Sequence, residues 1–157
     1  MSGKLTLQDA RAILARAVEK SREVQWISAY AVADEGGNIV SISRLDGAPA
    51  AAVPLARSKA YLAALTGKTS MPFEQDVETH PVRFHGYQSI LPRPVFGGPG
   101  AVPIRREGRI VGGFSSSVSY SAAGMQTQVG GKNYSREELV TAHALQIAYD
   151  DQHPDTP

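Results

Sequence analysis

Cysteine is absent from this chain of 157 residues, and several functional classes go with it. There can be no disulfide framework, no thiolate metal site, no iron-sulfur cluster and no cysteine nucleophile. Charge is nearly balanced, with a formal net charge of +1, and basic residues form no run. Aromatic residues are only 7% of the chain and are not interleaved with basic ones, so nucleic acid is not an expected partner. No stretch approaches the roughly 20 apolar residues that span a bilayer, and Met1 to Leu7 lack the apolar core of a signal peptide. The expectation is a cytoplasmic protein without a membrane partner. Residues 1–157 read as a single domain, with a polar end over 150–157 that should fray.

Local signals predict the elements in order. Thr6-Leu7-Gln8-Asp9 opens a helix whose apolar face is Leu7, Ala10, Ile13, Leu14, Ala17 and Val18. Trp26 to Ala33 and Ile39 to Leu45 read as a hairpin around Asp34-Glu35-Gly36-Gly37-Asn38. An alanine-rich helix over Ala50 to Leu65 stops at Gly67, with Pro54 confining its regular part or kinking it. Its small residues permit close approach to a sheet or to a second copy of the chain. Lys59 on that helix reads first as a solvated residue, since lysine is rarely buried unless paired. The alternative is an anion-binding role.

Lys68 to Pro94 carries the densest chemistry: Glu74, Gln75, Asp76, Glu78, His80, Arg83, His85, Tyr87 and Arg93. Phe73 to Thr79 reads as a short helix ended by Pro81, and His85-Gly86-Tyr87 as a turn entering a short run. His80 and His85 do not have the spacing of a helical metal pair, and no metal site is expected. Phe96 to Gly113 is rich in glycine and proline, a shaped loop leading into a hairpin that turns at Arg105 to Gly108. Phe114 to Tyr120 continues as a polar strand, Ser121 to Asn133 as a loop, and Ser135-Arg136-Glu137-Glu138 as a capping box for a last helix. Its stripe is Leu139, Val140, Ala144, Ile147 and Ala148, with His143 beside it as a core or interface residue. Strands in local pairs without βαβ crossovers make the class α+β, an antiparallel sheet with helices packed on it.

Taken in this order, certain pieces resemble the GlcG/HbpS-like, or haem-degrading domain, family, which is related to the C-terminal domain of PduO-type corrinoid adenosyltransferases. They are Val32 to Gly37, Arg44-Leu45-Asp46-Gly47-Ala48-Pro49, Ala56-Arg57-Ser58-Lys59-Ala60-Tyr61, Gly97 to Ile104 and Gly108 to Gly113. The resemblance implies a profilin-like α/β/α sandwich with a central antiparallel sheet flanked by helices, and a homo-oligomer. It also implies a haem or other tetrapyrrole ligand near the sheet and the helix carrying Arg57 and Lys59. Ser115 to Asn133 and His80 to Tyr87 depart from the usual family pattern, and both are places where specificity is built.

Two functions are compatible with these residues. In a tetrapyrrole-binding protein, His80 or His85 would ligate iron and Arg57, Lys59 or Arg83 would pair with propionates, with Tyr87 also in the ligand site. In a cofactor-independent catabolic isomerase, tautomerase or hydrolase acting on a small carboxylated intermediate, such as an aromatic ring-cleavage product, Arg83 and Arg44 would hold carboxylates. His85 or Glu74 would move a proton, and the amides of Gly97, Gly98 and Gly100 would meet an oxyanion. A third, plainer reading leaves the glycine loop as packing at an oligomer interface.

Overall fold

The structure, a computed structural model, describes residues 3–118, 126–129 and 132–147. Helix α1, Leu7–Val24, starts at a reciprocal capping box: Thr6 Oγ1 accepts from the Asp9 amide at 3.1 Å, and Asp9 Oδ2 accepts from the Thr6 amide at 2.8 Å. Its buried stripe is Ala10, Ile13, Leu14, Ala17 and Ser21, whereas Leu7, expected on it, lies outside at the exposed first turn.

Strands β1, Ala29–Asp34, and β2, Ile39–Arg44, form the expected hairpin, although β1 begins three residues later than predicted. Helix α2, Ala52–Thr66, ends at Gly67, whose φ of 65° is the left-handed cap that glycine adopts without strain. Pro54 falls in its first turn, where a missing amide hydrogen costs little, and does not confine the helix. Helices α3, Met71–Thr79, and α4, Pro81–Ile90, meet at His80. The turn predicted at His85-Gly86-Tyr87 is therefore wrong, since these residues are helical. Pro81 stops α3 and, with φ already fixed, starts α4.

Strands β3, Ala101–Arg106, and β4, Arg109–Ser117, make the second hairpin. β4 ends at Ser117, and Ser119 and Tyr120 of the predicted strand lie outside the described residues. Within the predicted Ser121–Asn133 loop lie β5, Gln126–Val129, and the start of β6, Lys132–Ser135, which pair with each other; the rest of that loop falls outside the described residues. Helix α5, Arg136–Leu145, opens at the Ser135 capping box; Ile147 lies beyond its end, and Ala148, expected on its stripe, is outside the described residues.

The main sheet is antiparallel throughout, in the order β2-β1-β4-β3. Alternation along β1 divides the core. Tyr30 and Val32 face the cluster built with Ile13, Leu14, Phe114 and Val140, under α1 and α5. Ala29, Ala31 and Ala33 face Ala52, Ala56, Ala60 and Ala64 of α2 on the other side. The alanines of α2 are thus used inside the chain, against the sheet. Gly113 of β4 completes that contact, because a Cβ there would run into the Ala60 carbonyl. The result is an α+β, three-layered α/β/α sandwich.

The serines after Phe114, which read as a polar strand, are fully buried: Ser115 donates to the Ala56 carbonyl at 2.5 Å, and Ser116 Oγ accepts from Trp26 Nε1 at 3.1 Å. Burial of a hydroxyl is tolerated when it is bonded in this way. No helix among the described residues is long and apolar enough to cross a membrane.

Candidate functional site

The residues singled out by their chemistry fall in three places. The first is the α3–α4 pair. Phe73 and Tyr87 turn inward, their rings at 5.2 Å and 83°, and join a small cluster with Tyr61, Leu62 and Val95. Tyr87, half-buried, therefore packs against this cluster and not into a ligand site. Glu74, His80 and His85 are exposed. Arg83 forms a bidentate pair with Asp76, Nε to Oδ2 at 2.8 Å and Nη2 to Oδ1 at 2.5 Å, and His80 Nδ1 lies 3.5 Å from the same carboxylate. Asp76 thus clasps the corner between the helices, and Arg83 is already engaged. α4 buries none of its residues, and Val82 and Ile90 are 86% and 81% exposed. No described group of three or more His, Asp or Glu side chains is arranged to hold a metal ion.

The second place is the glycine loop. Lys59 is only 4% exposed, which corrects its reading as a solvated residue. Its ammonium donates to the carbonyls of Pro99 at 2.5 Å and Ser116 at 2.6 Å, and lies 3.5 Å from Glu137 Oε1 of α5. That last contact is an ion pair without a proper hydrogen bond, and Glu137 Oε1 has no hydrogen-bond partner. Burial pushes the Glu137 carboxyl up from its ordinary value, against the pull of Lys59. Gly100, at φ 95°, passes so close that a Cβ would strike the Glu137 carboxylate. Gly97 touches the backbone of Phe73, and the Gly98 amide donates to the Ser70 carbonyl at 3.3 Å. The loop is held shut around the Lys59–Glu137 pair, and the Gly98 amide is already spent within the fold.

The third place is a pocket of about 200 Å³ on the outer side of α2, lined by Arg57, Ser58 and Tyr61 together with Gly37 and Arg93. Arg93 donates to the Gly37 carbonyl at 2.8 Å and Asn38 Oδ1 at 2.7 Å, and its guanidinium lies 5.4 Å from the Tyr61 ring centroid. Such stacking holds a guanidinium in one orientation without neutralising it. Arg57 is exposed and forms no ion pair among the described residues. The Tyr61 hydroxyl is enclosed and has no hydrogen-bond partner among the described residues.

Of the residues expected at a site, the structure brings only Arg57 into this pocket. Lys59, two residues on, turns inward. Arg44 is exposed at the end of β2 and does not line the pocket, and neither histidine reaches it. Arg93 and Tyr61, both legible as residues, were not expected there, because only the folded chain lays the segment after α4 beside α2. Glu137 was visible solely as part of a cap. Lys59 did carry a signal: at helical spacing it shares a face with Ala52, Ala56 and Ala63.

Comparison with known proteins gives a consistent picture. Protein GlcG of Escherichia coli strain K12 is 30% identical over 109 residues, covering 69% of this chain and 77% of GlcG. The crystal structure of protein ORFY from Klebsiella pneumoniae has a TM-score of 0.72 at 19% identity, over 93% of this chain and 92% of that one. The PduOC:heme complex has a TM-score of 0.71, also at 19% identity, over 92% and 94% of the two chains. These two structures share the fold. Residues 5–123 match the family described as "Haem degrading protein HbpS-like", and the chain belongs to that family.

Proposed function

We propose that this chain is a binding protein for a small carboxylated molecule, held in the pocket between α2 and the β1–β2 turn. The observation that carries the reading is the convergence of Arg57 and Arg93 on one cavity beside Tyr61. A guanidinium fork matches a carboxylate with two parallel hydrogen bonds. Arg93 is oriented in advance by its bonds to Gly37 and Asn38, so ordering it costs little on binding. Arg57 is free to close on the ligand, and the Tyr61 ring that stacks with Arg93 supplies an apolar wall.

Family membership makes haem a natural candidate ligand, and the pocket fits only part of it. The arginines suit the propionates. The cavity of about 200 Å³ lies below the roughly 300–1,000 Å³ that encloses a larger ligand, and no histidine lines it to meet iron. A haem held by this chain would be held at its acid groups by Arg57 and Arg93; the group itself would supply redox chemistry that no residue of the pocket supplies.

Calorimetric titration with succinate tests the reading. Binding should weaken about tenfold or more in Arg57→Ala, the loss expected for hydrogen bonds between charged groups, without a change in melting temperature. Equal affinity in the variant contradicts it. Hemin is the second probe: a Soret change lost in Arg57→Ala and kept in His85→Ala agrees with the proposal. A change lost in His85→Ala alone would move the site to α4 and overturn it.

A further inference from the structure

At the β3 edge of the sheet, the helix layers on both faces come to an end. A groove of about 600 Å³ opens there, between the C-terminal ends of α2 and α5, a volume within the range of small-molecule sites. Its floor and walls are apolar. Val102 and Ile104 of β3 are buried beneath it, while Ile110 of β4 and Leu145 and Ile147 at the end of α5 are half-buried along its side.

One end is different in character. Lys68, just past the α2 cap, is exposed and makes no ion pair among the described residues. Arg105 lines the same end and is anchored there by donating from Nη2 to the Gly67 carbonyl at 2.8 Å. That bond answers the negative end of the α2 dipole, which leaves the Lys68 charge uncompensated. Between them Thr69 is only 5% exposed as a residue, and its hydroxyl lines the groove without bonding to another described residue. No acidic side chain lines the groove.

We propose that this groove is a second ligand site, for an amphipathic anion: an apolar body lying along Ile104, Ile110 and Ile147, with an anionic head accepting from Lys68, Arg105 and Thr69. The charge pattern selects the occupant. An apolar body alone would leave the two cations without a counter-charge, and a small polar anion would leave the isoleucine wall wet. The site shares no residue with the Arg57 pocket, so the two stand or fall separately.

Dodecanoate, kept below its micelle concentration, is the probe, with acetate and dodecanol as the head without the body and the body without the head. The full chain should bind dodecanoate at least about tenfold more tightly than either comparator. Lys68→Glu, an exposed position that should not disturb folding, should weaken binding by a similar factor, while Arg57→Ala leaves it unchanged. Equal dodecanoate affinity in Lys68→Glu, or dodecanol bound as tightly as dodecanoate, would overturn the proposal. So would an absence of binding together with a concentration-dependent dimer that Ile110→Asp dissolves, which would give the groove to a second copy of the chain.

Discussion

The α3–α4 pair and helix α2 make opposite use of charge. The pair carries Glu74, Asp76, His80, Arg83 and His85, and most of these groups stand in solvent around one surface clasp. Helix α2 is mostly small and apolar, with two charged residues in its middle turns. One of these, Lys59, is buried against Glu137 and two backbone carbonyls, and the other, Arg57, edges the pocket. Reactive residue types in number mark an accessible surface. A single charge among small residues at helical spacing marks a group the fold is built to hold, because nothing else would compensate its desolvation.

The contrast predicts very different costs for removing one charge from each region. Lys59→Met keeps the apolar stem but leaves Glu137 buried without its partner, and should cost about 3–5 kcal/mol in urea unfolding. Adding Glu137→Leu should recover most of that loss, since a buried ion pair replaced whole is far less costly than one broken. If the double variant remains as unstable as the single one, the pair is not what Lys59 serves.

Acidity probes the same pair more gently. The folded chain holds a proton on Glu137 to higher pH than the unfolded chain does, its ordinary value being 4.5. This group therefore contributes stability that is fully present below pH 4.5 and is lost as pH rises through the raised folded value. The melting temperature of the native chain should rise as pH is lowered from neutrality toward 4.5, by an amount that Glu137→Gln abolishes. Asp9 acts in the opposite sense. Its hydrogen bonds with Thr6, and then Arg106, hold its carboxyl well below the ordinary 3.8, and the stability it adds above that value is lost as pH falls further. A melting temperature that falls steadily from neutrality to 4.5 would contradict the account of Glu137.

The smallest effect belongs to the surface clasp. Arg83→Ala breaks a half-exposed pair with Asp76 and should cost no more than about 1 kcal/mol. A loss as large as that of Lys59→Met would erase the distinction between the regions.

How much of this was legible depended on distance along the chain. The caps at Thr6, Gly67 and Ser135 and the Asp34 to Asn38 turn act over three or four residues, and the sequence carries them directly. So does the α2 stripe, once helical periodicity is applied. The α4 helix is hidden in the sequence because Gly86 looks like a turn and its apolar residues, Val82 and Ile90, face outward instead of marking a buried side. The buried serines of β4 could not be told from solvated ones, since their partners, the Ala56 carbonyl, Ser28 and Trp26, come from other elements. The pocket was hidden for the same reason: Arg57, Arg93 and Gly37 meet only after α2, the segment following α4 and the β1–β2 turn are brought together.

The central claim is that the ligand pocket lies on α2 and not at the histidines of the α3–α4 pair. Titration of the uniformly ¹⁵N-labelled chain with succinate, followed in ¹H–¹⁵N correlation spectra, tests it directly. The account predicts saturable shifts at Gly37, Ser58 and Tyr61 that disappear in Arg93→Ala, with His80 and His85 unmoved. Shifts confined to His80, His85 and their neighbours, with the Arg57 pocket silent, would contradict it.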